Sequence, residues 1–112
     1  HSELVYYHDD FITILRTRNL KGHKERIMVV WNEHFVSIPD AQYMYAVMKL
    51  IDIGKKVFNY TPKFVIMEGT FQTIKVHWHL VATDLDPKAE DFDLILKTPW
   101  IEVIETALES DQ

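Results

Sequence analysis

The segment 73–83 restricts the fold more than any other part of the chain, because apolar and polar residues alternate along it with the two-residue period of a β-strand. The apolar side chains of this segment are Ile74, Val76, Trp78, Leu80 and Ala82. The opposite face carries Lys75, His77 and His79. A continuously apolar face has to pack against a core. We therefore expect the histidine-bearing face to turn toward solvent, a cleft or a partner.

Two earlier segments predict a β-hairpin followed by a helix. Residues 11–15 and 27–31 are short, rich in β-branched and aromatic residues, and separated by a polar stretch that contains Gly22. After Pro39, apolar residues recur at three- and four-residue spacing to about residue 58, as in an amphipathic helix. These patterns favour antiparallel strands that pack against one long helix.

The remaining segments complete a predicted α+β fold with a mostly antiparallel sheet. Residues 64–67 form an apolar run typical of a fully buried strand. The proline-containing segments 86–96 and 98–108 predict two C-terminal helices. The acidic run 90–93 is expected to be the solvated face of the first of these helices.

The composition bounds the class of protein. A chain of 112 residues is the size of one domain, spanning 1–112. The absence of cysteine excludes a disulfide framework, thiolate-bound zinc and a cysteine nucleophile. The net charge of −5 argues against general nucleic-acid binding. No apolar run reaches the roughly 18 residues of a membrane span, so we expect a cytoplasmic protein with no membrane partner.

The row Lys75, His77 and His79 is open to three interpretations at this point. A sheet face open to water simply carries polar residues. A His-x-His pair on a strand is also a common metal ligand pair, with Asp84 a few residues further on. A third interpretation is a phosphate site, because the row combines a cation, hydrogen-bond donors and a nucleophile.

The sequence FQTIKVHWHLVATD, residues 71–84, resembles the motif strand of the histidine triad (HIT) superfamily. Other pieces follow in the order typical of that family. DDFITILRT resembles its first core strand, GHKERIMVVWNEHF resembles its Gly-His turn and second strand, and 39–58 takes the place of the helix before the motif. The resemblance covers roughly residues 9–84. It implies a HIT-like fold.

The resemblance also implies an activity. In the family the middle histidine attacks the α-phosphorus of a nucleoside phosphate derivative and forms a nucleotidyl-histidine, which water or another acceptor resolves. Carried over, His77 is the nucleophile, His79 stabilises the phosphoryl oxygens, and Lys75 stands where the first triad histidine belongs. The triad is incomplete in this respect.

Further site residues are implied by the same resemblance. Gln72 and Thr73 take the place of phosphate ligands. The residues at positions of the family's base pocket, its Gly-His turn and the histidine after its second strand are Phe11, Ile12, Ile14, His23 and His34. No metal and no cofactor are implied, and a homodimer is expected by resemblance. A catalytically silent nucleotide-binding module and a metal-binding protein that uses the His-x-His pair are the alternatives.

Overall fold

The fold is an α+β arrangement of one sheet and two helices. A computed structural model describes residues 4–17, 21–33, 38–68, 78–98 and 100–104, with the side chains of Glu68 and Ile104 excepted. The strands are β1 Val5–His8, β2 Ile12–Arg16, β3 Arg26–Trp31, β4 Lys63–Glu68, β5 His79–Thr83 and β6 Ile101–Ile104. The helices are α1 Asp40–Val57 and α2 Phe92–Leu96.

These six strands form a single sheet in the order β1-β2-β3-β5-β4-β6, and every neighbouring pair is antiparallel. The long connection through α1 allows β5 to insert between β3 and β4. The strand that bears His79 is therefore central in the sheet.

Most of the predicted elements are confirmed. The hairpin of segments 11–15 and 27–31 is β2 and β3, paired from Ile12 with Trp31 to Arg16 with Ile27. The predicted helix is α1, and the run 64–67 lies within β4 with every side chain 2% exposed or less. The predicted strand 73–83 is confirmed over β5, while its first part, 73–77, lies outside the described residues.

The prediction of a helix over 98–108 is wrong where the chain is described. Residues 101–104 form β6, which pairs with β4 from Ile66 opposite Ile101 to Lys63 opposite Ile104. The β-branched side chains of this segment fit a strand, and the otherwise unpaired edge of β4 supplies backbone hydrogen-bond partners. Of the helix predicted over 86–96, only α2 is helical, because residues 87–91 form turns. Strand β1 has no counterpart in the predictions.

The part of the sheet around β4 and β5 is covered on both faces. On one face α1 packs over a core that includes Ile12, Ile14, Ile27, Val29, Phe64, Ile66, Leu80 and Ala82. On the other face a smaller core joins Val65, Met67 and Ile95, with Leu85 and Trp100 packed against it. All five residues of β5 are buried, and His79 is 8% exposed. Of the expected surroundings of the histidine-bearing face, namely solvent, a cleft or a partner, open solvent is therefore wrong at His79, because β5 is covered on both faces.

The approach of α1 to the sheet depends on a glycine. Gly54 is buried in α1, and a Cβ added there would lie 2.5 Å from the ring of Phe64. Phe64 in turn stacks on Phe58 at 4.8 Å between ring centroids. The absence of a side chain at Gly54 lets helix and sheet come close enough to bury both rings.

Candidate functional site

One edge of the sheet gathers most of the features that suit a ligand. Because neighbouring strands are antiparallel, β3 and β4 end where β5 and β6 begin, and the β1–β2 turn lies at the same edge. We call this the cleft edge and define it by residues 9–11, 31–33, 67–68, 78–79 and 100–101. The segment that contains His77 connects β4 to β5 in the chain and so joins both strands at this edge.

A cleft of about 310 Å³ opens at the cleft edge. Its lining consists of Tyr43, Ile66, Met67, Leu80, Thr98, Trp100 and Ile101. The pairing of β6 with β4 stops at Ile101 and Ile66, so β4 continues past the start of β6 without a partner on that side. The walls are apolar and aromatic, with Tyr43 also in edge-to-face contact with Trp78 at 5.9 Å between centroids. Such a cleft suits a flat, largely apolar group.

Most of the residues predicted for phosphate chemistry lie outside the described part of the chain. These are His77, Lys75, Gln72, Thr73 and His34. His79 is described as the first residue of β5, with Val30 as its partner across the strand pair. Leu80, the next residue, lines the cleft.

The predicted base-pocket residues divide into two groups. Ile12 and Ile14 are 0% exposed in the core beneath α1, so the expectation that they contact a ligand is not met. Inward-facing positions of β2 are needed to bury the helix. Phe11 is 54% exposed at the β1–β2 turn, and its ring packs edge-on against Trp31 and Tyr45. Only Phe11 of the three presents a surface to a ligand.

The β1–β2 turn beside Phe11 is fixed by the carboxylate of Asp9. One oxygen accepts hydrogen bonds from the backbone N–H groups of Phe11 and Ile12 at 2.7 and 2.8 Å, and the other accepts from the hydroxyls of Tyr7 and Tyr45. Burial opposes ionisation of Asp9, but these four donors outweigh it and hold its pKa well below the usual range. The turn is thereby attached to α1.

His23, expected to contact substrate, lies at the opposite edge of the sheet in a buried ion triad. Its Nδ1 is 2.5 Å from Asp84 Oδ1, and its Nε2 is 2.6 Å from Asp91 Oδ1. The side chains of His23 and Asp91 are 0% exposed, and that of Asp84 is 7% exposed. The His23 imidazole cannot reach a ligand in solvent. The expectation for His23 is therefore wrong, and its role is to join the β2–β3 turn to the segment after β5.

The charges of this triad support one another. Burial lowers the pKa of His23, but the hydrogen bonds to Asp84 and Asp91 outweigh it and raise that pKa above 6.5. Burial raises the pKa of Asp84, but hydrogen bonds from His23, from the Tyr60 hydroxyl at 2.5 Å and from the Lys24 backbone lower it. Both shifts favour the charged forms, an imidazolium at His23 beside a carboxylate at Asp84.

The sequence contained no local signal for this triad, because its members lie 61 and 68 residues apart. The acidic run 90–93 was expected to be solvated, yet Asp91 is 2% exposed. Its Oδ1 is occupied by His23. The solvated-face expectation is wrong at Asp91, because the turn before α2 folds back onto the hairpin, where Glu90 N donates to Lys21 O at 2.9 Å.

The metal-site interpretation finds no further ligand in the described ranges. Within them, no group of three or more His, Asp or Glu side chains is arranged to hold a metal ion. One half of the predicted pair, His77, lies outside these ranges.

In comparisons with known proteins, no protein family, no curated protein and no solved structure matches the chain. In the part of the chain that the structure describes, no helix is both long and apolar enough to cross a membrane.

Proposed function

We propose that the chain is a HIT-like protein that binds a nucleoside phosphate derivative at the cleft edge and transfers its nucleotidyl group through His77. The cleft lined by Tyr43 and Trp100 carries this proposal. Its volume of about 310 Å³ lies at the lower end of the range of about 300 to 1,000 Å³ that is typical of small-molecule sites. A nucleobase is flat and aromatic, and such groups stack on tyrosine and tryptophan rings.

The position of the cleft supports the same ligand. Leu80 lines the cleft and directly follows His79. Successive side chains of a strand point to opposite faces, so His79 points away from the side of β5 on which Leu80 lines the cleft. A base seated against Tyr43 and Trp100 would have its phosphate at the edge of the sheet where β5 begins. In the proposed reaction the phosphate has to lie at this position, next to the motif strand.

The order of the elements is a second line of support. The hairpin β2–β3, helix α1 and strand β5 follow one another in the order in which the HIT resemblance places them. Strand β5 lies between β3 and β4, and its first residue, His79, pairs with Val30 of β3. A rigid strand suits a group that has to meet phosphorus in a fixed orientation.

The proposed reaction has two steps. A neutral imidazole of His77 attacks the α-phosphorus, the bond between phosphorus and the leaving oxygen or nitrogen breaks, and the leaving group takes up a proton. Water then attacks the nucleotidyl-histidine, releases the nucleoside monophosphate and returns the electron pair of the phosphorus–nitrogen bond to the imidazole. The attacking water loses a proton to solvent, which balances the proton that the leaving group takes from solvent in the first step. The ammonium of Lys75 stabilises the developing negative charge. His79 is 8% exposed, so it takes no direct part in this scheme.

A binding experiment with variants of the cleft tests this proposal. We expect AMP or GMP to bind the parent protein in calorimetric titration and to bind Trp100→Ala at least tenfold more weakly, because the stacking surface is lost. Met44→Ala is the matched control, since Met44 is 53% exposed on α1 and does not line the cleft. Absence of binding by the parent, or equal weakening by both variants, would contradict the proposal.

Mass spectrometry of the protein with a nucleoside phosphoramidate separates the enzyme from the silent binding module. The enzyme accumulates a nucleotidyl adduct or releases nucleotide, and His77→Ala abolishes both. Binding without adduct or release identifies a silent module in which Lys75 has replaced a histidine needed for turnover.

A further inference from the structure

A chain of hydrogen bonds crosses β1, β2 and β3 on the side of the sheet that carries His79. His8 Nδ1 lies 3.0 Å from Thr13 Oγ1, the Thr13 hydroxyl donates to Asn32 Oδ1 at 2.8 Å, and Asn32 Nδ2 donates to the carbonyl of Asp9 at 2.9 Å. We call His8, Thr13 and Asn32 the polar strip. His8 and Asn32 are exposed, and Thr13 is half-buried.

The hydrogen bonds of the polar strip allow only one assignment of donors and acceptors. A backbone carbonyl only accepts, so Asn32 has to turn its amide nitrogen toward Asp9 and its oxygen toward Thr13. The single hydroxyl proton of Thr13 is then used in the bond to Asn32. Thr13 must accept from His8, which requires the proton of a neutral His8 imidazole to be on Nδ1. The Nε2 of His8 is left as a hydrogen-bond acceptor in a fixed orientation.

The polar strip shares a face with His79. Thr13 is the cross-strand partner of His8 and of Val30, and Val30 is the partner of His79. Directly paired residues point to the same side of a sheet. Three strand spacings, about 14 Å in all, separate the backbones of His8 and His79. The cleft lies on the far side of β5 from the strip, bounded by β4 and β6.

We propose that the polar strip is a binding subsite for a hydroxyl-bearing group, such as a sugar, in which His8 Nε2 accepts a hydrogen bond from a ligand hydroxyl. This inference rests on the proposed function and deepens it. If the proposed function holds and phosphorus lies at the edge where β5 begins, the strip, three strand spacings away, would meet the part of the substrate beyond phosphorus. The remaining amide hydrogen and oxygen lone pair of Asn32 offer a donor and an acceptor to a second hydroxyl.

The exposure of the polar strip supports a role in recognition. Exposed hydrogen bonds between side chains add little to stability, because each partner is well solvated when the protein unfolds. Thr13 and Asn32 together fix the surface imidazole of His8, and they therefore contribute more to its orientation than to the fold. An oriented acceptor binds a hydroxyl without the cost of ordering the side chain first.

Titration with two matched ligands tests the subsite. The first ligand is ADP-glucose, and the second is the ester of ADP in which a cyclohexyl ring replaces the sugar, so that only the hydroxyls and the ring oxygen differ. We expect the parent protein to bind ADP-glucose about tenfold more tightly than the cyclohexyl ester. In Thr13→Val and His8→Phe this ratio should fall to about one, while Thr61→Val, a hydroxyl deletion near the start of β4, should keep it.

The outcomes separate the two proposals. If the parent binds both ligands equally, the subsite is contradicted and the nucleotide site remains. If the parent binds neither ligand, the proposed function is overturned together with the subsite. A purely structural role of the strip would lower the stability of Thr13→Val and leave the ratio unchanged, which also overturns the inference.

Nitrogen-15 NMR of the free protein provides a readout that does not depend on any ligand. At a pH where His8 is neutral, we expect its proton on Nδ1 in the parent and a shift of the population toward Nε2 in Thr13→Val. A parent protein with the His8 proton on Nε2 would contradict the proposed direction of the network.

Discussion

At the scale of single residues, burial decides which histidine can act on a ligand and which one stabilises the fold. Six histidines occur in the sequence, and motif resemblance alone assigned functional roles to four of them. His23 is in fact enclosed by two carboxylates, and His8, with no assigned role, is exposed and oriented. Spacing along the chain does not reveal such partners, because they are brought together by the tertiary fold.

Removal of His23 should destabilise the protein strongly. His23→Ala leaves Asp84 and Asp91 buried without their cation, and we expect a loss of about 3 to 5 kcal/mol in the free energy of unfolding. The measurement is urea unfolding at neutral pH. Lys63→Ala is the control, because it breaks the ion pair of Lys63 with Glu102, whose side chains are 46% and 43% exposed, and should cost less than about 1 kcal/mol. Similar losses in both variants would show that the triad is no more stabilising than a surface pair.

The same triad predicts how stability depends on pH. The raised pKa of His23 gives a contribution that is complete below pH 6.5 and is lost as the pH rises through the pKa of the folded protein. The lowered pKa of Asp84 gives a contribution that is complete above pH 3.8 and is lost as the pH falls through its folded value. These contributions should therefore be greatest between these two values. Urea unfolding across pH should show a flatter profile for His23→Gln than for the parent, and an identical profile would count against the charged triad.

At the scale of elements, helices and strands with a clear hydrophobic pattern were predictable from the sequence. A strand whose formation depends on pairing with another strand was not. The apolar spacing of α1 and the β-branched runs of β2, β3 and β4 are local signals of amphipathic or buried elements. Strand β6 follows Thr98 and Pro99, which resemble a helix start, but its four residues pair with the edge of β4 instead. In such a short segment, tertiary pairing outweighs a capping signal.

The contact between α1 and β4 gives a prediction at this scale. Gly54→Ala should destabilise the protein by about 1 to 3 kcal/mol, although alanine is the better helix former, because its Cβ would lie 2.5 Å from the Phe64 ring. Thermal and urea unfolding measure the loss. Asp52→Ala, at an exposed position of the same helix, should change little. A Gly54→Ala variant as stable as the parent would show that Phe64 moves aside without cost.

At the scale of the whole molecule, the order of the strands builds the candidate site. The sequence predicted the fold class and the strand with His79, but the neighbours of that strand depend on how α1 returns the chain to the sheet. The cleft likewise arises where β6 begins late against β4, and its lining comes from four separate parts of the chain. No local sequence pattern predicts that these four segments come together in space. The expected homodimer stays a prediction, which analytical ultracentrifugation of the parent protein would test.

The central claim is that a nucleotide binds across the cleft edge, and a crystal structure with bound AMP tests it most directly. We expect the adenine between Tyr43 and Trp100 and the phosphate within hydrogen-bond distance of His77. An adenine bound elsewhere, or a phosphate remote from the start of β5, would contradict the account.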